Sequence, residues 1–181
     1  MRVVWAEVDQ ELRDVLVDAI AGASVAMNSK DVSLAILSLS KLNMHWELDL
    51  PKGVQMLLEQ AISRQSELSE HALSSLLYGL AKLHRQWYEV HPDVQTTLKE
   101  AFVVSHVKGV HTATGVTNSL HGLAGMNARW DDLGSGPQLA ITEEVCKVSL
   151  AVTPSQLASL VRSLAHLNLS WHGCSEKLRS A

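Results

Sequence analysis

The sequence predicts an all-α fold, an α-solenoid of about four two-helix repeats with a period of about 41 residues and no β-sheet. Three observations predict it: five evenly spaced tryptophans, a helical pattern of apolar residues before each of them, and a helix-capping residue before each pattern. Because one amphipathic helix pair cannot cover its own apolar face, stacked copies must cover one another. The tryptophans are Trp5, Trp46, Trp87, Trp130 and Trp171, and the intervals between them are 41, 41, 43 and 41 residues.

The tryptophans divide the chain into units of one array that spans residues 1–181. The repeats are residues 5–45, 46–86, 87–129 and 130–170, and residues 171–181 are the start of a further repeat. We interpret each Trp as a structural joint between repeats, because an invariant offset suits packing better than variable recognition. Met1 lies only four residues before Trp5, and the last segment stops early. We therefore expect a piece of a longer array; short degenerate ends that cap the chain are the alternative.

The helix before each Trp, called helix B, has apolar residues fourteen, ten, seven and four positions before the Trp. Spacings of four, three and three place them on one helical face. They are Val32, Ile36, Leu39 and Leu42; Leu73, Leu77, Leu80 and Leu83; Val116, Leu120, Leu123 and Met126; Leu157, Val161, Leu164 and Leu167. Small residues six and eight positions before each Trp predict close approach of a neighbouring helix.

A capping residue stands eighteen positions before each Trp. The four are Asn28, Ser69, Thr112 and Thr153, whose side-chain oxygens can accept the exposed N–H groups of a helix start. Asp31 and Gln156 add the reciprocal partner of a capping box in two copies. Helix B is therefore predicted from about residue 29 to residue 43, and over the corresponding residues of the other copies.

A second helix, helix A, follows each Trp with a looser apolar pattern. In the second copy the pattern consists of Val54, Leu57, Leu58, Ala61 and Ile62. Each helix A comes after acidic or turn-forming residues such as 47–51, which suits a helix N-terminus. The chain is thus read as a simple alternation of helix A and helix B.

The chain shows none of the patterns of the common catalytic or metal sites. It has no zinc-type Cys and His spacing, no HExxH, no nucleophile elbow and no phosphate-binding glycine loop. The carboxylate pairs Asp131–Asp132 and Glu143–Glu144 lie near helix starts or on solvated faces, so we interpret them as structural. With no run of eighteen apolar residues, a membrane span is not predicted either. We predict no enzymatic activity, no metal and no cofactor.

Charge is distributed unevenly between the two kinds of helix. The net charge is -4, but residues 30–45, 71–86, 114–129 and 155–170, which contain helix B, carry six lysines or arginines against one acid. Their net charge is +5, and the remaining residues, with nine basic against eighteen acidic side chains, have a net charge of -9. Cations in the last turn complement the helix dipole, but this does not account for Lys30 or Arg162.

The positions sixteen, twelve, nine and five before each Trp form a stripe on helix B roughly opposite the apolar face, and none of them is acidic. We call it the helix B stripe. Its side chains can pair with phosphates, stack on bases or bond to base edges, as recognition of single-stranded RNA requires; a peptide groove could use the same set. The candidate RNA-binding residues are Lys30, Lys41, His71, Ser75, Tyr78, Lys82, Asn118, His121, Ser159, Arg162 and His166.

Three helix B segments resemble the octotricopeptide repeat, in which a Trp also follows this helix after a short linker. They are residues 153–160 with 164–167, residues 116–124 and residues 73–81. The resemblance covers nearly the whole chain and is shared in style by other organellar helical-repeat proteins, including those with RAP domains. It implies a protein of mitochondria or chloroplasts that binds single-stranded transcripts or ribosomal RNA in their stability, processing, translation or assembly.

The chain also departs from that family. Its repeats are a few residues longer, the family's aromatic residue nine positions before Trp is kept only by Tyr78, and a transit peptide is not evident. The alternative is a HEAT- or armadillo-like scaffold that binds a protein or peptide, because repeats of this length serve that class too. The overall acidity and the apolar Leu34 and Leu37 favour it. Without the organellar resemblance the expected location is the cytoplasm.

Overall fold

A computed structural model of the chain describes residues 4–109, 112–149 and 151–169, which contain α-helices and two 3-10 turns and no strand. The all-α prediction is confirmed for these residues, among which no helix is long and apolar enough to cross a bilayer. The helices are α1 Gln10–Ser24, α2 Ser29–Lys41, α3 Trp46–Asp49, α4 Lys52–Ser63, α5 Glu70–Lys82, α6 Pro92–Lys108, α7 Ala113–Gly125, α8 Trp130–Leu133, α9 Ser135–Val148 and α10 Pro154–His166. The turns are Trp5–Glu7 and Trp87–Glu89.

The four predicted B helices are α2, α5, α7 and α10, each of thirteen residues. Each begins directly after its predicted cap, and the cap side chain accepts a backbone N–H in the first turn. Both predicted capping boxes are present.

The B helices end two residues earlier than predicted. Three positions before the next Trp, the backbone takes a positive φ of 54 to 63° in Asn43, His84, Asn127 and Asn168. A left-handed residue terminates a helix, and asparagine tolerates that conformation better than most residues.

The long helices lie in two rows. In the first row, α2 packs on α5, α5 on α7 and α7 on α10; in the second, α1 packs on α4, α4 on α6 and α6 on α9. The core lies between the rows. Of the sixteen apolar residues predicted to face it, twelve are buried and Leu42 and Leu164 are half-buried. Leu157 and Val161 on α10 are exposed.

Glycines bring the helices of the first row into backbone contact. A Cβ atom added to Gly79 on α5 would lie 3.2 Å from the carbonyl carbon of Ile36 on α2, and one added to Gly122 on α7 would lie 2.5 Å from that of Leu77 on α5. Both glycines stand eight positions before a Trp, and both partners ten positions before one. The small residues therefore permit the close approach that the sequence predicted.

Each Trp within the described residues makes the same backbone hydrogen bond. The N–H groups of Trp5, Trp46, Trp87 and Trp130 donate to the carbonyl oxygens of Leu42, Leu83, Met126 and Leu167, at 2.7, 2.9, 2.8 and 2.7 Å. Each acceptor is the C-cap residue of a first-row helix. The indoles are buried except that of Trp130, which is half-buried, and Trp171 lies outside the described residues.

A short turn follows each Trp within the described residues, and the sequence did not predict these turns. Each turn is closed by one side chain eight or nine residues after the Trp. The Gln55 amide donates to the carbonyls of Trp46 and Leu50, at 2.9 and 2.7 Å. Gln95 and Gln138 donate to Trp87 and Trp130 in the same way, and Arg13 bonds the carbonyls of Ala6 and Val8. A polar donor eight or nine residues after the Trp was the available signal.

Replacing Gly122 by alanine should destabilise the protein by about 1 to 3 kcal/mol, because the new methyl group overlaps the backbone of α5. The matched control is Gly22→Ala on α1, where nothing lies within 4 Å of the added atom. There the greater helix propensity of alanine should stabilise by about 0.5 to 1 kcal/mol. Urea unfolding followed by circular dichroism measures both, and equal effects would contradict the close contact.

Replacing Trp87 by alanine should cost about 3 to 5 kcal/mol, because the indole is 3% exposed and its removal leaves a cavity. The neighbouring Tyr88 is 76% exposed, so Tyr88→Ala should change the free energy of unfolding by no more than about 0.5 kcal/mol. A Trp87 variant as stable as the Tyr88 control would show that the indole is not part of the core.

Candidate nucleic-acid interface

The candidate RNA-binding residues lie on the four first-row helices, and all but one are at least partly exposed. Lys30, Lys41, His71, Lys82, Asn118, His121, Arg162 and His166 are exposed; Tyr78 and Ser159 are half-buried. Ser75 is buried, with 6% of its surface exposed. It therefore offers little surface to a ligand, and the prediction that it contacts RNA is wrong for this structure.

Two aromatic rings meet between α5 and α7. The ring centroids of Tyr78 and His121 are 5.9 Å apart, with an interplanar angle of 30°. Each residue directly precedes one of the contact glycines, Gly79 and Gly122. The close approach of the helices at these glycines therefore carries the two rings to within reach of each other.

Two cations flank these rings. The Lys82 Nζ atom lies 5.6 Å from the centroid of the Tyr78 ring, one helical turn further along α5. Arg162 occupies the position on α10 that Tyr78 and His121 occupy on their helices. We call Tyr78, Lys82, His121 and Arg162 the cationic aromatic cluster; they come from three successive helices of the first row.

The environment of His121 favours its neutral form. Partial burial lowers the pKa of the His121 imidazole although the residue as a whole is exposed, and the positive charges of Lys82 and Arg162 lower the pKa further. The electrostatic effect of Arg162 also shows that α10 contributes to the same local field as α5. The cluster therefore combines two cations with a ring that resists becoming a third.

The remaining candidates extend the stripe along the helices. Asn118 lies one turn before His121 on α7, and Ser159 lies one turn before Arg162 on α10. On α2, Lys30 and Lys41 stand near the two ends of the helix, with 42% of Leu34 exposed between them. The α2 part of the stripe is thus more apolar than the rest.

Arg85, which contributes to the basic charge of the helix B segments, belongs to the interior. It is 9% exposed, and its guanidinium pairs with the carboxylates of Glu47 and Glu59 and lies 5.7 Å from the Trp46 ring centroid. A hydrogen bond from Lys52 lowers the pKa of Glu47, burial opposes that effect, and Arg85 reinforces it. Arg85 therefore belongs to a buried group of ion pairs and does not add to the exposed positive charge.

Several acids outside the first row are paired with basic side chains. His106 on α6 lies between Glu143 and Glu144 of α9, at 2.8 and 2.6 Å, and Lys108 pairs with Glu67 at 2.7 Å. The Asp132 carboxylate accepts the Arg129 N–H at 3.0 Å and so caps α8. Asp131 and Asp132 lie at a helix start, as the sequence predicted. Glu144 lies in the second half of α9 and is 4% exposed, so the prediction of a helix start or a solvated face is wrong for this residue.

The chain matches no protein-family model, no curated protein and no solved structure. The case for a function therefore depends on the chemistry of its own side chains. Within the first row that chemistry is concentrated in the cationic aromatic cluster, where two rings and two cations from three helices share one surface.

Replacing Lys82 by glutamine should raise the pKa of His121 toward its ordinary value, because one of the neighbouring positive charges is removed. The pKa should remain below that value, since burial is the larger cause. The pKa of His121 is lower in the folded protein than in the unfolded protein. The free energy of unfolding should therefore decrease as the pH falls from the unfolded pKa through the folded pKa. NMR titration of the imidazole protons measures the shift; Lys108→Gln, in the second row, should leave it unchanged.

Proposed function

We propose that this protein binds single-stranded RNA along the helix B stripe, with the cationic aromatic cluster as the main contact. The observation that carries the proposal is the juxtaposition of the Tyr78 and His121 rings, 5.9 Å apart, with Lys82 and Arg162. Aromatic rings stack on bases whatever their identity, and cations neutralise the phosphates between them.

The proposal includes an α-solenoid in which successive repeats present the stripe on one continuous surface. It is supported by the two rows of helices, by the equivalent glycine contacts at Gly79 and Gly122, and by the four equivalent Trp hydrogen bonds. The helix B stripe lies on four consecutive members of the first row. An extended strand could therefore cross several helices in turn.

The separation of charge also favours an anionic ligand on this face. The stripe carries no acid, whereas several acids elsewhere are already paired with cations, such as Glu67 with Lys108. A net charge of -4 therefore does not prevent a local positive surface. The octotricopeptide resemblance adds the proposal that the RNA is a transcript or ribosomal RNA of a mitochondrion or chloroplast.

A protein or peptide partner is the second candidate, and the α2 part of the stripe favours it. There Leu34 is 42% exposed and Leu37 is half-buried, in place of the ring and polar groups of the later helices. An apolar segment of a partner could cover these leucines. Such a partner would remain bound after nuclease treatment and would not compete with RNA at the cluster.

Fluorescence anisotropy with a labelled single-stranded RNA tests the first candidate. The logarithm of the association constant should fall linearly with the logarithm of the salt concentration, with a slope of roughly -0.7 for each phosphate contacted. Lys82→Glu and Arg162→Glu should each weaken binding by about tenfold and make the slope less steep by about 0.7, the contribution of one phosphate contact. Lys108→Glu, which makes the same change of charge in the second row, should have little effect.

Three results would count against RNA binding at this site. They are the absence of binding at low salt, equal losses in the Lys82 and Lys108 variants, and an affinity independent of salt. Recovery of a nuclease-resistant partner that Leu34→Glu abolishes would favour the scaffold. Because Lys82 and Leu34 lie on different helices, the two candidates are tested by separate substitutions.

A further inference from the structure

The side chain one position before a Trp contacts the side chain three positions before the next Trp at two neighbouring places in the first row. Between the C-terminal ends of α2 and α5, the imidazole rings of His45 and His84 are stacked, with centroids 5.0 Å apart and an interplanar angle of 14°. Between those of α5 and α7, the Asn127 amide donates to the Gln86 side-chain oxygen at 2.6 Å. We call His45 and His84 the histidine pair. The same two positions therefore carry two rings in one contact and two amides in the next.

Hydrogen bonding does not account for the two rings. The Nδ1 atom of His45 is buried and has no hydrogen-bond partner within the described part of the chain, and such an atom costs stability. The amide pair at the equivalent positions is joined by a direct hydrogen bond. Asparagine also takes the position of His84 in the three other helices of the row, as Asn43, Asn127 and Asn168. The feature that histidine adds at this contact is an aromatic face.

The His84 ring keeps surface that a ligand can reach. His45 covers one face of the ring and is half-buried, whereas His84 is exposed. Lys82, which is also exposed, lies two residues earlier, and its Nζ atom lies 5.6 Å from the centroid of the Tyr78 ring. At this end of α5 a cation therefore lies between two aromatic residues in the chain.

The acids near His45 are already engaged. Glu47 pairs with Lys52 and Arg85, and the Asp49 carboxylate accepts the His45 backbone N–H at 2.6 Å. Two carboxylates at this place disfavour a phosphate beside His45, but they do not repel the uncharged face of a base. The histidine pair is therefore suited to a base and not to a phosphate.

We propose that the histidine pair is a second base-stacking site of the RNA surface, in which a base stacks on the His84 ring and Lys82 holds the phosphate between this base and one at Tyr78. The inference rests on the proposed function and extends it beyond the helix B stripe, since neither histidine lies at a stripe position. Histidine rings are among the side chains on which unpaired bases stack. His45 supports the His84 ring from behind, so the ring is oriented before the base arrives. The strand then leaves the cationic aromatic cluster around the C-terminal end of α5.

The double variant His45→Gln with His84→Asn tests the site, because it gives this contact the residue types of Gln86 and Asn127. A hydrogen-bonded amide pair then replaces the rings, so resistance to urea should be at least that of the unaltered protein. Affinity for labelled single-stranded RNA, measured by fluorescence anisotropy, should fall at least about fivefold with the loss of one stacked base. The dependence of affinity on salt should not change, because Lys82 still contacts the phosphate.

Two further variants separate stacking from other effects. His91→Asn makes the same change at an exposed histidine directly before α6, where asparagine can also cap the helix, and it should leave RNA affinity unchanged. His84→Phe keeps a ring without the imidazole nitrogens and should keep the affinity within about twofold. Circular dichroism checks that each variant is folded.

Unchanged RNA affinity in the double variant, in a protein whose binding Lys82→Glu weakens, would overturn this inference and leave the proposed function standing. A less steep salt dependence in the double variant would also overturn it, because the pair would then contact a phosphate. The same holds if the double variant loses resistance to urea together with affinity and His84→Phe does not restore binding. Absence of RNA binding by the unaltered protein at low salt would overturn both this inference and the proposed function.

Discussion

The backbone hydrogen bond from each Trp of the described residues to the end of a first-row helix is the constraint on which the rest of the structure depends. Trp46 follows α2 by a few residues and bonds the C-cap carbonyl of α5; Trp87 does the same from α5 to α7. The bond satisfies a carbonyl that a helix end leaves unpaired and holds the C-terminal ends of consecutive helices together. The indole on the same residue is buried at that point, so one position supplies both a polar and an apolar attachment.

The geometry of the candidate interface follows from this alignment. With their C-terminal ends held together, α5 and α7 lie close enough for Gly122 to meet the backbone of Leu77. The residues just before the contact glycines, Tyr78 and His121, then carry their rings to the same surface. A larger residue at Gly122 would move α7 away from α5 and the His121 ring away from the Tyr78 ring. The stability of the row and the arrangement of the cluster therefore both depend on the small size of this residue.

Counting the charges along the chain does not show which of the cations are exposed and which are buried. Lys82 and Arg85 belong to the same segment. Lys82 is exposed and lies over the Tyr78 ring, whereas Arg85 is buried between Glu47 and Glu59. Equivalent positions hold Met44 and Ala128, both buried. Arg85 is thus a cation at a position where the equivalent residues are apolar. That equivalence was the signal in the sequence that the side chain is buried.

The sequence by itself determined the helices. Their caps, apolar faces and tryptophan offsets are local properties, because capping and helical periodicity depend on residues within a few turns of one another. The sequence did not determine that Ser75 is buried, that Leu157 and Val161 are exposed, or that the Tyr78 and His121 rings lie close together. These outcomes depend on the distance and rotation between helices that lie about 40 residues apart in the sequence. The backbone contacts at two glycines and the side chains of three helices set that distance and rotation, and they come together only in the folded chain.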